Sequence, residues 1–224
     1  LPMTGQPTAS RSSTPSGDAM KTDRKPGRIV VLASGGGTNC QALVDACAAG
    51  DVDARVVAVI TNRSDAGVID RADEAGITCH VIEHAGKEPE VRRLADARLI
   101  DLIASCDPDL VVMAGWMRIL GAQVGASFPI INLHPAKPGE FPGIGSIDRA
   151  YDAWCAGEIN ESGVMVHWVP DDGVDIGPVI LTEVVPFHSN DGLADFAARL
   201  HATEHRLIVA ATTKALEQGQ ELNN

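Results

Sequence analysis

The 224-residue chain predicts an α/β fold: one doubly wound, mostly parallel sheet with helices on both faces. Three observations carry that expectation. Short, wholly apolar runs at residues 29–33 and 110–114 suit strands covered on both sides and are far too short to span a bilayer. Segments of helical periodicity alternate with such runs, as at residues 89–106, where Val91, Leu94, Ala95, Leu99, Leu102 and Ile103 share one face. The first apolar run ends in a Gly-rich turn that opens directly into a helix.

Residues 1–27 are rich in Ser, Thr, Pro, Gly and Lys without apolar period, and are expected to be a disordered extension. The globular domain is expected over 28–218 and a short tail over 219–224. Within the domain the pattern predicts strands at 29–33, 55–61, 78–82, 109–114, 129–133, 164–169 and 179–185. Helices are expected at 39–49, 65–75 (with Gly76 at its end), 89–106, 146–156 and 191–218, plus a short helical piece around 119–126.

The formal charge of −12, with one Tyr and four Phe, argues against a nucleic-acid partner, although a local basic pocket for one phosphate is compatible with it. The cysteines Cys40, Cys47, Cys79, Cys106 and Cys155 are odd in number and form no CxxC pair. They are expected as buried free thiols in a reducing cytoplasm. No charged segment followed by an apolar stretch suggests secretion, so a cytoplasmic location is expected.

The turn Ser34-Gly35-Gly36-Gly37-Thr38-Asn39 frees backbone N–H groups at a helix start, an arrangement that attracts a phosphate. It is not a dinucleotide fingerprint, because Cys40 stands where the third Gly belongs and the second strand ends in Thr61-Asn62 without an acid. A phosphate-binding loop of the Walker type is absent too, there being no Gly-Lys-Ser/Thr. A tight turn with no ligand is the plain alternative.

Asn132 and His134 lie two apart at the end of a strand, so they project from one side of the edge where open α/β sheets bind ligands. Pro135 restricts His134 to an extended backbone. In the acidic turn 170–178, Asp175 stands between Val174 and Ile176, which are expected to draw it inward while Asp171 and Asp172 face water. A carboxylate beside His134 favours imidazolium. Glu204 falls on the apolar stripe of the last helix, four after Leu200 and three before Leu207, so it should hold a polar ligand or a cation. His201 and His205 have an i,i+4 spacing, but spacing suggests no third ligand, and no metal is expected.

Four segments, Ser34-Gly-Gly-Gly-Thr-Asn39, Ala114-Gly-Trp-Met-Arg-Ile-Leu120, Asn132-Leu-His-Pro135 and Val174-Asp-Ile-Gly-Pro178, resemble the folate-dependent phosphoribosylglycinamide formyltransferase family in order and spacing. The resemblance covers about 28–216 and implies a Rossmann-like sheet. It implies formyl transfer from the co-substrate 10-formyltetrahydrofolate to the amine of 5-phosphoribosylglycinamide in purine synthesis, between small molecules, by a monomer or homodimer. Asn132, His134 and Asp175 would be catalytic, with an imidazolium at His134 and the Asn132 amide stabilising the oxyanion. Gly37, Thr38 and Asn39 would cradle the phosphate, while Glu204, His201 and Pro135 would meet the rest of that substrate. Met117, Arg118, Ile119, Leu120 and Val169 would line the folate pocket. The chain departs from the family pattern at 136–143 (Ala-Lys-Pro-Gly-Glu-Phe-Pro-Gly) and in a loop one residue longer between His167 and Asp175.

Within the superfamily, a formyltetrahydrofolate hydrolase is expected to carry a regulatory domain that 27 residues do not form. A methionyl-tRNA formyltransferase is expected to bring an RNA-binding domain and a basic surface. The nearest rival is a formyltransferase for a sugar amine. A catalytically silent phospho-ligand module is the alternative of another class, and formyl-donor turnover separates it from an enzyme.

Overall fold

The chain's computed structural model describes residues 25–83, 88–170 and 174–221, so the leader 1–24, Asp171 and Asp172 lie outside the described residues. Elements alternate as β1 (Gly27–Leu32), α1 (Thr38–Ala49), β2 (Ala54–Thr61), α2 (Val68–Glu74), β3 (Cys79–Val81), α3 (Pro89–Ser105) and β4 (Leu110–Met113). They continue as α4 (Ala122–Ser127), β5 (Ile130–His134), α5 (Ser146–Cys155), β6 (Glu161–Trp168), β7 (Val179–Pro186) and α6 (Leu193–Glu221). The sheet runs β3-β2-β1-β4-β5-β6-β7. Its first five strands pair parallel, and β6 and β7 pair antiparallel. This is the mostly parallel, doubly wound sheet expected.

The two-residue period of β1 divides the core. Ile29, Val31 and Ala33 face one cluster, with Leu43 of α1, Val68 of α2, Ala150 of α5, and Phe196, Leu200 and Ile208 of α6. Val30 and Leu32 face the other, with Leu99 and Ile103 of α3 and Val124 of α4. A strand covered on both sides has no polar face, which is why β1 and β4 read as unbroken apolar runs.

Several boundaries differ from expectation for local reasons. The helix expected at 65–75 begins at Val68, because Gly67 packs its backbone against Gly36 and holds the preceding residues in a turn. The piece expected from 119 begins at Ala122, because backbone and side-chain bonds pin 115–118 in a turn. The strand before the acidic turn starts at Glu161, and the last helix continues to Glu221. Gly76, at φ 67°, follows α2 in the left-handed conformation that ends helices. The cysteines are free, but only Cys40 is fully buried, its thiol pushed up to about 12 chiefly by that burial; Cys155 is exposed. No described helix is long and apolar enough to cross a membrane.

Candidate active site

The carboxyl ends of β1, β4 and β5 form one rim of the sheet, and there β5 delivers Asn132 and His134. His134 is 4% exposed. Its Nδ1 lies 3.3 Å from Oδ2 of Asp175, whose side chain is 8% exposed. The Asn132 Nδ2 donates to Asp175 Oδ1 at 2.9 Å, and the Gly143 N–H donates to Asp175 Oδ2 at 2.8 Å. The three residues expected to act together therefore meet.

Asp175 reaches this position by a different route from the one expected. Its neighbours Val174 and Ile176 are exposed, so they do not draw it inward. Instead its backbone adopts φ 56°, a left-handed conformation that Asp tolerates, turning the carboxylate toward β5. Two residues on, a side chain at Gly177 would place its Cβ 1.7 Å from the Trp168 carbonyl oxygen. Only glycine permits that closure.

Charge balance corrects a second expectation. Burial pushes His134 below its ordinary 6.5, and the smaller opposing pull of Asp175 and of the Glu140 and Phe141 carbonyls does not restore it. The resting imidazole is neutral at pH 7. With the Asp175 carboxylate at Nδ1 holding the proton there, Nε2 keeps its lone pair. That nitrogen is buried and has no hydrogen-bond partner. Burial also pushes Asp175 up, yet the His167 ring, the Gly143 N–H and the nearby histidines outweigh it and leave the carboxyl below 3.8.

At the Gly-rich turn, α1 starts at Thr38 with no side-chain cap. Gly35, Gly36 and Thr38 are exposed, and Asn39 is half-buried. Gly37, at φ 75°, is buried, and a Cβ there would meet Val68 at 2.7 Å, so packing requires this glycine whether or not an anion binds. Glu204 is 5% exposed and accepts from His201 Nδ1 at 2.6 Å and Asn39 Nδ2 at 3.4 Å. The hydrogen bond that His201 donates to Glu204 pushes His201 above its ordinary value, more than burial pulls it down. Among the described residues, Glu204, expected to hold a polar ligand or a cation, has His201 and Asn39 as its side-chain partners. His205 does not join it; its Nε2 is buried without a partner beside a groove between α1 and α6. Pro135 is half-buried after His134.

Met117 and Ile119 project from the turn after β4, 54% and 69% exposed. Leu120 and Val169 are each packed against the cluster that holds Trp116. Ile119 and Leu120 also line a cavity of about 410 Å³ with Pro89, Arg92 and Arg93 of α3. Arg118 pairs through Nη2 with Asp96 in a buried ion pair, while its Nη1 is buried without a hydrogen-bond partner.

A formyl transferase family model matches residues 27–212. The chain belongs to the formyl transferase family. It is 42% identical over 195 residues to the phosphoribosylglycinamide formyltransferase of Schizosaccharomyces pombe, covering 82% of this chain and 94% of that protein. It is 37% identical over 181 residues to the Escherichia coli enzyme of the same name, covering 80% and 82%. The crystal structure of a glycinamide ribonucleotide transformylase from Symbiobacterium toebii superposes with a TM-score of 0.79 at 33% identity, covering 91% of this chain and 94% of that one.

In this member of the family, two residues at the site escaped sequence reasoning. His167 stands opposite Asn132 across the β5–β6 pair, beside a register irregularity that re-aims it. Its Nδ1 lies 2.8 Å from the Trp168 carbonyl oxygen, which places a proton there. Its Nε2 lies 3.2 Å from Asn132 Nδ2 and 3.5 Å from Asp175 Oδ1. The neutral ring accepts from Asn132, whereas a protonated ring would donate to Asp175. Arg149 of α5 is the second: its guanidinium donates to the carbonyls of Phe141 at 2.8 Å, Pro142 at 2.7 Å and Ile144 at 3.2 Å, fixing the loop that presents the Gly143 N–H. A lone histidine in an apolar strand was the available signal for His167; nothing in helical periodicity marks Arg149.

Proposed function

We propose that the chain transfers the formyl group of 10-formyltetrahydrofolate to the primary amine of 5-phosphoribosylglycinamide. One observation supports the chemistry above the rest: the buried, unpartnered Nε2 of a neutral His134 whose other nitrogen faces the Asp175 carboxylate. That geometry suits a base, and the resemblance to glycinamide-specific relatives supports the substrate.

The amine nitrogen attacks the formyl carbon, and the carbonyl pair moves to oxygen. His134 Nε2 takes the amine's proton and becomes imidazolium, which Asp175 stabilises. The oxyanion accepts an Asn132 amide hydrogen; losing such a donor costs about 3 kcal/mol in barrier. The imidazolium then protonates N10 as its bond to carbon breaks, releasing tetrahydrofolate and the formylated amine. No covalent enzyme intermediate and no metal take part.

In this reading the backbone of Gly37, Thr38 and Asn39 receives the phosphate at the uncapped start of α1. Glu204, held by His201, meets the ribosyl part beside Pro135. Met117, Ile119, Leu120 and Val169 flank the pterin and benzoyl groups. Arg118 joins that wall from a position fixed by its ion pair with Asp96.

The test is tetrahydrofolate release from 10-formyltetrahydrofolate, offered with phosphoribosylglycinamide, an amino-sugar nucleotide, or no amine. The expected result is turnover with the glycinamide alone. Turnover with the sugar nucleotide, or equal release without an amine, would replace the reading by its rival.

A further inference from the structure

Ser34 opens the Gly-rich turn, and its place in the sequence puts it with the phosphate cradle. The contacts point elsewhere. Ser34 is 1% exposed, whereas Gly35 and Gly36 beyond it are exposed. Its hydroxyl donates to Asn62 Oδ1 at 2.6 Å, at the end of β2. It accepts from the Met117 N–H at 2.8 Å, in the turn after β4. Its own N–H donates to the Gly115 carbonyl at 3.0 Å. A serine hydroxyl has one hydrogen to give. That hydrogen goes to Asn62, leaving none for an anion.

The turn it holds is anchored at its centre by Trp116, 7% exposed in the core cluster of Val30 and Leu32, while the residues on either side of Trp116 have less to fix them. Gly115 is in the left-handed conformation at φ 82°, and a Cβ there would touch nothing. Met117 and Ile119 project largely into solvent and so gain no rigidity from packing. On the far side of Met117 the backbone is tied by the Arg118–Asp96 pair. On the near side the tie is Ser34.

We propose that Ser34 is a positioning residue for the formyl donor, locking the 115–117 turn against β1 and β2 so that Met117 and Ile119 present a fixed wall to the folate. The proposal rests on the formyltransferase reading. Asn62 acts one step further out, since by accepting the hydroxyl hydrogen it leaves a lone pair directed at the Met117 N–H. The two ligand sites then share a single strand end: Gly37, Thr38 and Asn39 serve the phosphate, and Ser34 at the start of the same turn serves the folate.

The experiment uses the full chain with Ser34→Ala, Asn62→Ala and the double variant. Removing the tie should raise KM for 10-formyltetrahydrofolate about tenfold, from one part-buried amide left without its partner, with KM for phosphoribosylglycinamide and kcat within about twofold. Asn62→Ala should shift the same parameter in the same direction by less, and the double variant should be no worse than Ser34→Ala. Amide exchange at Met117 should accelerate in Ser34→Ala, while the Gln41 amide, bonded to the Gly37 carbonyl in α1, should keep its protection. A rise confined to KM for phosphoribosylglycinamide, or equal in both substrates, would return Ser34 to the phosphate site and overturn the proposal. So would unchanged exchange at Met117. If Ser34→Ala does not fold, the same KM split in Asn62→Ala decides the matter. An unmodified chain that fails to turn over the donor removes the functional reading itself, a result distinct from a chain that turns over with an unmoved folate KM in Ser34→Ala.

Discussion

His134 is held between two opposing influences, and their balance fixes its role. Burial favours the neutral ring, Asp175 favours the charged one, and burial prevails. A base of this kind loses activity as pH falls through its lowered value, so the acid limb of the rate profile should lie below pH 6.5. Asp175→Asn suits the left-handed backbone at this position, removes the charge that raises His134, and should move that limb further to the acid side. The plateau should fall by roughly three to four orders of magnitude, as when a buried carboxylate is taken from behind a catalytic histidine. His134→Asn should lose the limb altogether. A pH–rate series at saturating folate checks this; a limb that moves toward neutral pH in Asp175→Asn would show an imidazolium to be the active form. Asn132 and His134 were legible because strand periodicity puts residues two apart on one side. His167 was not, because its position opposite Asn132 depends on the β5–β6 register and on an irregularity that periodicity does not encode.

Elements position these residues mainly through their connections. The alternation of β1, β2, β4 and β5 with α1 to α4 was readable, since strands covered on both faces are apolar throughout and the helices carry one apolar face. The two loops that meet at Asp175 were not readable, because their shape comes from backbone contacts between distant residues. Gly177 is the tightest of these. Gly177→Ala should displace the turn from the Trp168 carbonyl and abolish turnover, with circular dichroism of the sheet retained. The opposite loop depends on Arg149. Replacing it by Met leaves three carbonyls without their common donor and frees the Gly143 N–H to drift from Asp175. Arg149→Met should lower kcat about tenfold while lowering Tm by a few degrees, the scale of one or two lost charge-assisted hydrogen bonds. Unchanged kcat with lowered Tm would confine Arg149 to stability.

For the whole molecule, the same ionisations set how folding responds to acid, and their signs differ. The folded chain keeps His134 neutral below 6.5 where the unfolded chain protonates it, so stability is lost as pH falls from 6.5 toward the lower folded value. Asp175 adds a second loss, beginning as pH approaches its ordinary 3.8 and completed below its lower folded value. His201 acts the other way: its folded value is raised, so its contribution is full below 6.5 and fades as pH rises through the folded value. Its side chain is half exposed, however, and solvent weakens that contribution, while His134 is almost wholly buried. The buried group should dominate between pH 7 and pH 5. Tm of the full chain should therefore fall over that interval. It should fall less in His134→Asn, which removes the group that refuses the proton. In Glu204→Gln it should fall more, because the opposing gain at His201 is gone. Thermal melts of the three proteins across that interval provide the measurement. Parallel curves would mean that neither histidine couples to folding, and an inverted order would mean that His134 is charged in the folded chain, contradicting the base assigned to it.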